Sequence, residues 1–431
     1  MSKTQGIEKF SLKYYLLKKY VDLCFRWFYN VKYIHKKETP VKGKLIFAGN
    51  HQNALMDALA ILTSFTWQPI FLARSDIFRN STLAAILKFL KIVPVYRIRD
   101  GYDQLANNQE SFEQTFRILD KGNPIVIFPE GNHLGVKRIR SFKKGIARIA
   151  FDYLVRSQEN KDMTIVPVGL TYTNYHKTGS PFYISFGKQI KVADFSDLFA
   201  SNPAKGYQAL LNEIAIQIKA QTLHVEQEDL LEIVDIILNI PGKKSSAEDQ
   251  LNFWQQAITR TEELYQKQGS EWTTLTLQIQ KLNSLLAKQN LTSQDLSFLP
   301  WTSMGKQIFG GVLFMLSMPL FFYAWIQIFL PNLILKSILK KVKDPHFKSS
   351  VRFVGMLVLY PVFFFLQAII FGLISGSFPW AVAYFLTTLP SPWIVKQCGE
   401  LFQSITKGAK LNRIKKELSS VIDQIKKFGV A

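Results

Sequence analysis

The chain reads as an α/β fold followed by a helical region and C-terminal membrane helices, and three observations predict it. From residue 44 to about 190, short apolar and β-branched runs alternate with helix-like segments. Each chemically suggestive residue group falls just after one of those runs, where open α/β sheets put their ligands. Residues 308–330 and 353–395 carry no charged residue at all. A helix of that first run would span about 34 Å, against a hydrocarbon core of roughly 30 Å.

Composition narrows the partners. The formal charge of +21 on 431 residues calls for a polyanion, either nucleic acid or an anionic membrane surface. With 48% hydrophobic residues, 34 Phe and 8 Trp, the membrane surface is expected and nucleic acid is not. Cys24 and Cys398 are the two cysteines, with no cysteine–histidine cluster at metal spacing, so no disulfide framework and no metal are expected. Lys3, Glu8, Lys13, Lys18 and Lys19 interrupt any signal-peptide core, which predicts a cytoplasmic N-terminal part.

Residues 8–37 place Phe10, Tyr14, Leu17, Val21, Cys24, Phe25 and Phe28 at helical spacing among lysines. This reads as an interfacial amphipathic helix or as a helix packed on the α/β domain, and both can hold together. Strands follow near 44–49, 69–73, 93–98, 125–129, 164–172 and 182–190. Helices are expected near 54–65, 81–90, 104–121 and 142–156.

The first strand empties through Gly49 into Asn50-His51-Gln52-Asn53, and a helix carrying Asp57 begins directly after. Histidine takes and returns a proton near neutral pH, and a nearby carboxylate fixes its tautomer, so His51 is the candidate base and Asp57 its orienting partner. The run Val93–Arg99 delivers Arg97 and Arg99 to a strand exit, where a guanidinium fork suits a phosphate; pairing with acids is the plainer alternative. Ile125–Phe128 leads into Pro129-Glu130-Gly131, a turn whose glycine lets backbone N–H groups approach a ligand and whose carboxylate can hold a hydroxyl. Lys137, Arg138, Arg140, Lys143 and Lys144 follow, a basic loop that would draw in a phosphate, or else a solvated charge run. In Thr164–Leu170 a buried strand is interrupted by Pro167.

In this order the four groups resemble the blocks of the phospholipid/glycerol acyltransferase family over about residues 40–175. Asn50-His51 with Asp57 matches the first block, Arg97 the second, Phe128-Pro129-Glu130-Gly131 the third, and Val166-Pro167-Val168 the fourth. One residue more separates His51 from Asp57 than is common in the family, a spacing similar to the yeast-type glycerol-3-phosphate acyltransferases. That residue must be absorbed by a wider turn or a π-bulge. Lys91 stands where a glycine is frequent, and Asn132-His133 replaces the usual residues after Glu130-Gly131, which points to a different acceptor pocket.

The resemblance implies a glycerol-3-phosphate acyltransferase-like αβα catalytic domain, with His51 as general base oriented by Asp57. It implies that Arg97, Glu130 and Gly131, with Lys143 and Lys144 behind them, bind the substrate. The expected enzyme is an O-acyltransferase of phospholipid biosynthesis that moves a fatty acyl chain to glycerol-3-phosphate or 1-acylglycerol-3-phosphate. Acyl-CoA or acyl-carrier protein is its co-substrate and no cofactor is required. Neither a Gly-x-Ser-x-Gly elbow nor a Gly-Lys-Ser/Thr phosphate loop occurs. A lyso-aminolipid or other lysophospholipid acceptor, a phospholipid donor, or a non-catalytic membrane-binding module are the alternatives.

The expected organisation is an N-terminal interfacial helix at 1–40, the acyltransferase domain at 41–196, a helical accessory region at 197–300, membrane segments at 301–395 and a basic cytoplasmic tail at 396–431. Residues 331–352 hold six Lys or Arg against Asp344, and residues 396–431 hold eight against three acids. Basic flanks stay cytoplasmic, so both should lie on the side of the catalytic domain. That is met if Ile308–Leu330 is a re-entrant or in-plane hairpin bent near Pro319, and Phe353–Val395 a two-span hairpin turning at Ser375–Pro379.

Overall fold

The structure, a computed structural model, describes residues 6–95, 105–157, 162–242 and 245–431. It divides into two compact units, Met1–His224 and Val225–Ala431.

In the first unit, α1 (Leu12–Phe28) begins where the Ser11 hydroxyl accepts the Tyr14 N–H. Gln68 grips the Ser11 backbone on both sides, accepting from its N–H and donating to its carbonyl. Tyr14, Val21, Phe25 and Phe28 are buried, so most of the apolar stripe legible in the sequence is the one that packs on the domain. The helix stops well short of residue 37. Asn30–Ile34 forms an edge strand, β1, parallel to β7 (Pro181–Phe186), where the sequence suggested that the helix continued. Alternating Val31, Tyr33 and Lys32 suit a half-covered strand, and its partner lies about 150 residues away along the chain.

The remaining strands are β2 (Leu45–Gly49), β3 (Ile70–Arg74), β4 (Ile92–Val95), β5 (Ile125–Ile127), β6 (Thr164–Tyr172) and the two-residue β8 (Ile190–Lys191). Among the described residues they form one sheet in the order β1-β7-β6-β2-β5-β3-β4, with β8 beside β6. The pairs β2–β6, β2–β5, β5–β3 and β3–β4 are parallel, and β6–β7 is antiparallel. Every residue of β2 is buried, as a central strand covered on both faces requires.

On one face lie α1 and α2 (Ala54–Ser64). On the other, α4 (Leu105–Asp120), α5 (Gly145–Arg156) and α7 (Pro203–Gln221) pack on Ile46, Ala48, Ile125 and Ile165. This is an αβα sandwich. Between β3 and β4 the chain forms α3 (Ser81–Phe89), and α6 (Ser196–Ser201) precedes α7. Leu210, Leu211, Ile214 and Ile218 of α7 belong to the sheet's own core. The unit therefore takes in residues 6–40 and 197–224, which composition had assigned to separate regions.

The second unit begins with α8 (Leu231–Leu238), α9 (Ala247–Lys267) and α10 (Ser270–Lys288). Then α11 runs unbroken from Met304 to Lys341, 38 residues or about 57 Å. This corrects the expected hairpin bent near Pro319. Proline's fixed φ is helical, and losing one backbone hydrogen bond does not stop a helix held by neighbours. A second proline shows how the loss is met. Pro331 cannot donate to the carbonyl of Gln327, and a side chain from α12 supplies the donor instead: Gln367 Nε2 donates to that oxygen at 3.0 Å, while Tyr384 O–H donates to Gln327 Oε1 at 2.9 Å.

Helix α12 (Lys348–Ser375) ends with Gly376 at φ 61°, and α13 (Phe378–Thr388) starts two residues later, so the chain turns where the sequence indicated. The expected second span is broken, however. α13 has 11 residues, about 16 Å, and α14 (Ser391–Arg413) restarts after Pro390 and continues far past Val395. The basic tail is folded: Leu411 of α14 and Leu418, Val421, Ile422 and Ile425 of α15 (Lys415–Lys426) share a core with α10. α11 and α12 are long and apolar enough to cross a membrane, and most of their surface is uncovered.

Candidate active site

Five buried residues of β2 aim one residue, His51, past the end of the sheet. A Cβ at Gly49 would sit 3.0 Å from the Phe128 ring, so a larger residue there would press on that ring. That ring in turn stacks on His51, with centroids 4.5 Å apart and planes 17° from parallel. Asn50 clips the strand end to β6, donating from Nδ2 to the Leu170 carbonyl at 3.0 Å and accepting the Leu170 N–H at 2.7 Å.

His51 Nδ1 lies 2.8 Å from Asp57 Oδ2. The same oxygen accepts the backbone N–H groups of Gln52 and Asn53, each at 2.7 Å, and Oδ1 accepts the Tyr172 O–H at 2.7 Å. Asp57 is fully buried. A carboxylate out of water needs such a set of donors, and four groups supply it. Burial, and then the charge of Asp57, hold the Tyr172 phenol far above its ordinary pKa, so it stays a donor. With a carboxylate on Nδ1, the neutral ring carries its N–H there and its basic lone pair on Nε2. The His51 side chain keeps 17% of its surface exposed.

The extra residue between His51 and Asp57 is taken up by a wider turn. Ala54 has φ 45°, in the left-handed region, and the Met56 N–H bonds back to the Asn53 carbonyl at 2.9 Å. With that turn in place, Asp57 in the first turn of α2 still comes under the imidazole.

Glu130 is buried behind the histidine. Its Oε1 accepts the His51 backbone N–H at 2.9 Å and its Oε2 the Arg140 Nε at 2.9 Å, so both oxygens hold protein groups and brace the His51 turn. Burial raises its pKa, against the opposing pull of the His51 N–H and of Arg140. Gly131 has φ 74°, and the stem of Lys143 lies against it, the Lys143 N–H bonding to the Pro129 carbonyl at 2.8 Å. Lys144 is the residue before α5, exposed like Lys143. Arg97 and Arg99 lie outside the described residues.

Two groups, Arg74 and Tyr172, have no place in the sequence reading, and two more, Arg140 and His133, take contacts that it did not give them. Arg74, the last residue of β3, donates from Nη1 to Asn132 Oδ1 at 2.6 Å and pairs with Asp76. Arg140 reaches the Asn132 carbonyl as well, so two guanidiniums converge on the residue after Gly131. His133 meets the His51 ring edge-on at 5.6 Å. Tyr172 is the last residue of β6. Arg74 and Tyr172 stand at carboxyl ends of strands, and that rule applied to every strand would have found them.

A buried aspartate that orients a histidine, at the carboxyl ends of parallel strands, is a general-base arrangement. Residues 30–171 match the family model described as Acyltransferase. The matched stretch, about a third of the chain, takes in His51, Asp57, Arg74 and Glu130, and it is an acyltransferase domain. Among solved structures it is similar to the 1-acyl-sn-glycerophosphate (LPA) acyltransferase PlsC from Thermotoga maritima, with 19% identity over 48% of this chain and 77% of that one, at a TM-score of 0.36. No protein of curated function matches the chain.

Proposed function

We propose that this acyltransferase is membrane-bound and moves a fatty acyl chain from acyl-CoA or acyl-carrier protein to a hydroxyl of glycerol-3-phosphate or 1-acylglycerol-3-phosphate. The observation that carries the reading is the His51–Asp57 pair, whose buried carboxylate is held by four donors. In the reaction, His51 Nε2 removes the proton of the acceptor hydroxyl as its oxygen attacks the thioester carbonyl. The tetrahedral intermediate then expels the thiolate, and the imidazolium returns the proton to that sulfur. An ester and a free thiol result. Asp57 favours the imidazolium while it exists and keeps Nε2 directed outward.

A phosphate-bearing acceptor is supported by the basic groups beside His51. Arg74 and Arg140 meet at Asn132, Lys143 and Lys144 follow, and Arg97, outside the described residues, is the further candidate from the sequence. Each guanidinium would be shared between the phosphate and its present partner, Asp76 for Arg74 and Glu130 for Arg140. The two long apolar helices support attachment to the cytoplasmic membrane, with the catalytic domain on the cytoplasmic side that supplies a soluble donor.

The test is turnover by purified protein with radiolabelled acyl-CoA or acyl-carrier protein and a panel of glycerol-3-phosphate, 1-acylglycerol-3-phosphate and lyso-aminolipid acceptors. Transfer to a phosphomonoester acceptor, reduced about a hundred- to ten-thousandfold in His51→Ala, is the expected result. Transfer to the lyso-aminolipid alone overturns the acceptor assignment, and full activity in a folded His51→Ala protein overturns the mechanism.

A further inference from the structure

Helix α1 has two apolar stripes. One, through Tyr14, Val21, Phe25 and Phe28, is buried on the domain. The other, Leu12, Leu16, Tyr20 and Leu23, follows the same helical spacing and faces outward, with Leu12, Leu16 and Leu23 each 60% or more exposed. A soluble helix has no reason to carry the second. Helix α3 repeats the anomaly, since its sequence is largely apolar and none of its residues is buried. Leu83, Ile86 and Phe89 are all exposed.

The two helices are neighbours. The Tyr14 and Phe89 rings meet edge-on at 6.2 Å, and Lys91, which follows α3, donates from Nζ to the Lys9 carbonyl at 2.6 Å. The charges around them are of one sign. Lys9, Lys13, Lys19, Arg26, Arg79 and Lys88 are exposed. The acids of the same segments are already engaged: Glu8 by Lys121, Asp22 by the buried Lys18, and Asp76 by Arg74. What remains is an apolar face rimmed by six cations.

We propose that the outer stripe of α1 and the open face of α3 form one docking surface for an anionic lipid bilayer, sunk to the headgroup–acyl boundary. The apolar side chains give burial and the cations meet the headgroups. A second copy of the chain would bring the same six cations opposite these, which charge repulsion opposes. The inference stands apart from the proposed acceptor, and its test reads position and not turnover. It adds to the attachment through α11 and α12 a fixed orientation of the catalytic domain on the surface.

The experiment uses the full-length chain with Cys24 and Cys398 replaced by Ser, carrying one NBD-labelled cysteine at Leu16→Cys, Ile86→Cys or, across the sheet on α7, Ile216→Cys. Each is placed in nanodiscs of phosphatidylcholine and phosphatidylglycerol with bromines on the upper acyl carbons. The labels at 16 and 86 should shift to the blue and lose most of their emission to the bromines, and the label at 216, exposed in the structure, should do neither. Lys13→Gln, Lys19→Gln and Lys88→Gln together should weaken that quenching. Labels at 16 and 86 no more quenched than at 216 overturn the proposal. A blue shift without bromine quenching also overturns it, because protein and not lipid would then cover the face.

Discussion

Tyr172 donates to Asp57 across 115 residues of sequence, its hydroxyl 2.7 Å from Oδ1 at the carboxyl end of β6. It is the donor on Asp57 that comes from neither the His51 turn nor the imidazole. Tyr172→Phe leaves Oδ1 buried without it and should cost about 1–3 kcal/mol of stability. Turnover should fall less than in Asp57→Asn, because the His51 Nδ1 contact survives. Chemical denaturation read beside kcat checks both parts.

Ala54 should report on the widened turn. A side chain at positive φ costs roughly 1–2 kcal/mol, which glycine avoids at the expense of a freer unfolded chain. Ala54→Gly is therefore expected to keep activity and change stability by no more than about 1 kcal/mol. Ala54→Val, β-branched and buried, should lose both stability and turnover. If valine is tolerated as well as glycine, the left-handed turn is not what seats Asp57.

Arg74 separates acceptor binding from proton transfer. Arg74→Ala should raise KM for the phosphate-bearing acceptor with kcat little changed, and Arg74→Lys should restore it only in part, since an ammonium lacks the planar fork. An unchanged KM with a collapsed kcat would make Arg74 structural.

Glu130 gives a pH signature. Its folded pKa lies above 4.5, chiefly from burial, so between those two values the folded state binds more protons than the unfolded one. Stability contributed by that proton is complete below 4.5 and is lost as pH rises through the folded value. Glu130→Gln cannot titrate. Its melting temperature relative to the parent should therefore rise across that window and then level off; a difference independent of pH would contradict the burial argument.

Gln367 tests the repair at Pro331. Gln367→Leu leaves the Gln327 carbonyl without the donor that replaces the missing N–H, and should cost about 0.5–2 kcal/mol within a bilayer. Thermal unfolding in nanodiscs measures it, and no loss would mean that lipid or a relaxed helix satisfies the oxygen.

The sequence by itself determined what is local. Apolar runs with period two or 3.6 located β2 to β7 and α2 to α5 to within a few residues, because side-chain burial repeats with the backbone's own geometry. It also brought His51 and Asp57 to notice, since the two lie only six positions apart. Tertiary structure decided the rest. β1 has the mixed Lys and aromatic character of the helix before it, and it became a strand because β7 offered a parallel edge. Pro319 reads as a bend, yet α11 runs on unbroken through it. Arg74, Glu130 and Tyr172 come to the site from the ends of β3, β5 and β6, onto Asn132, the His51 N–H and Asp57, and no local period encodes which strands lie side by side. Parallel neighbours are joined only by long crossovers, so the residues that complete the site meet once the sheet has closed.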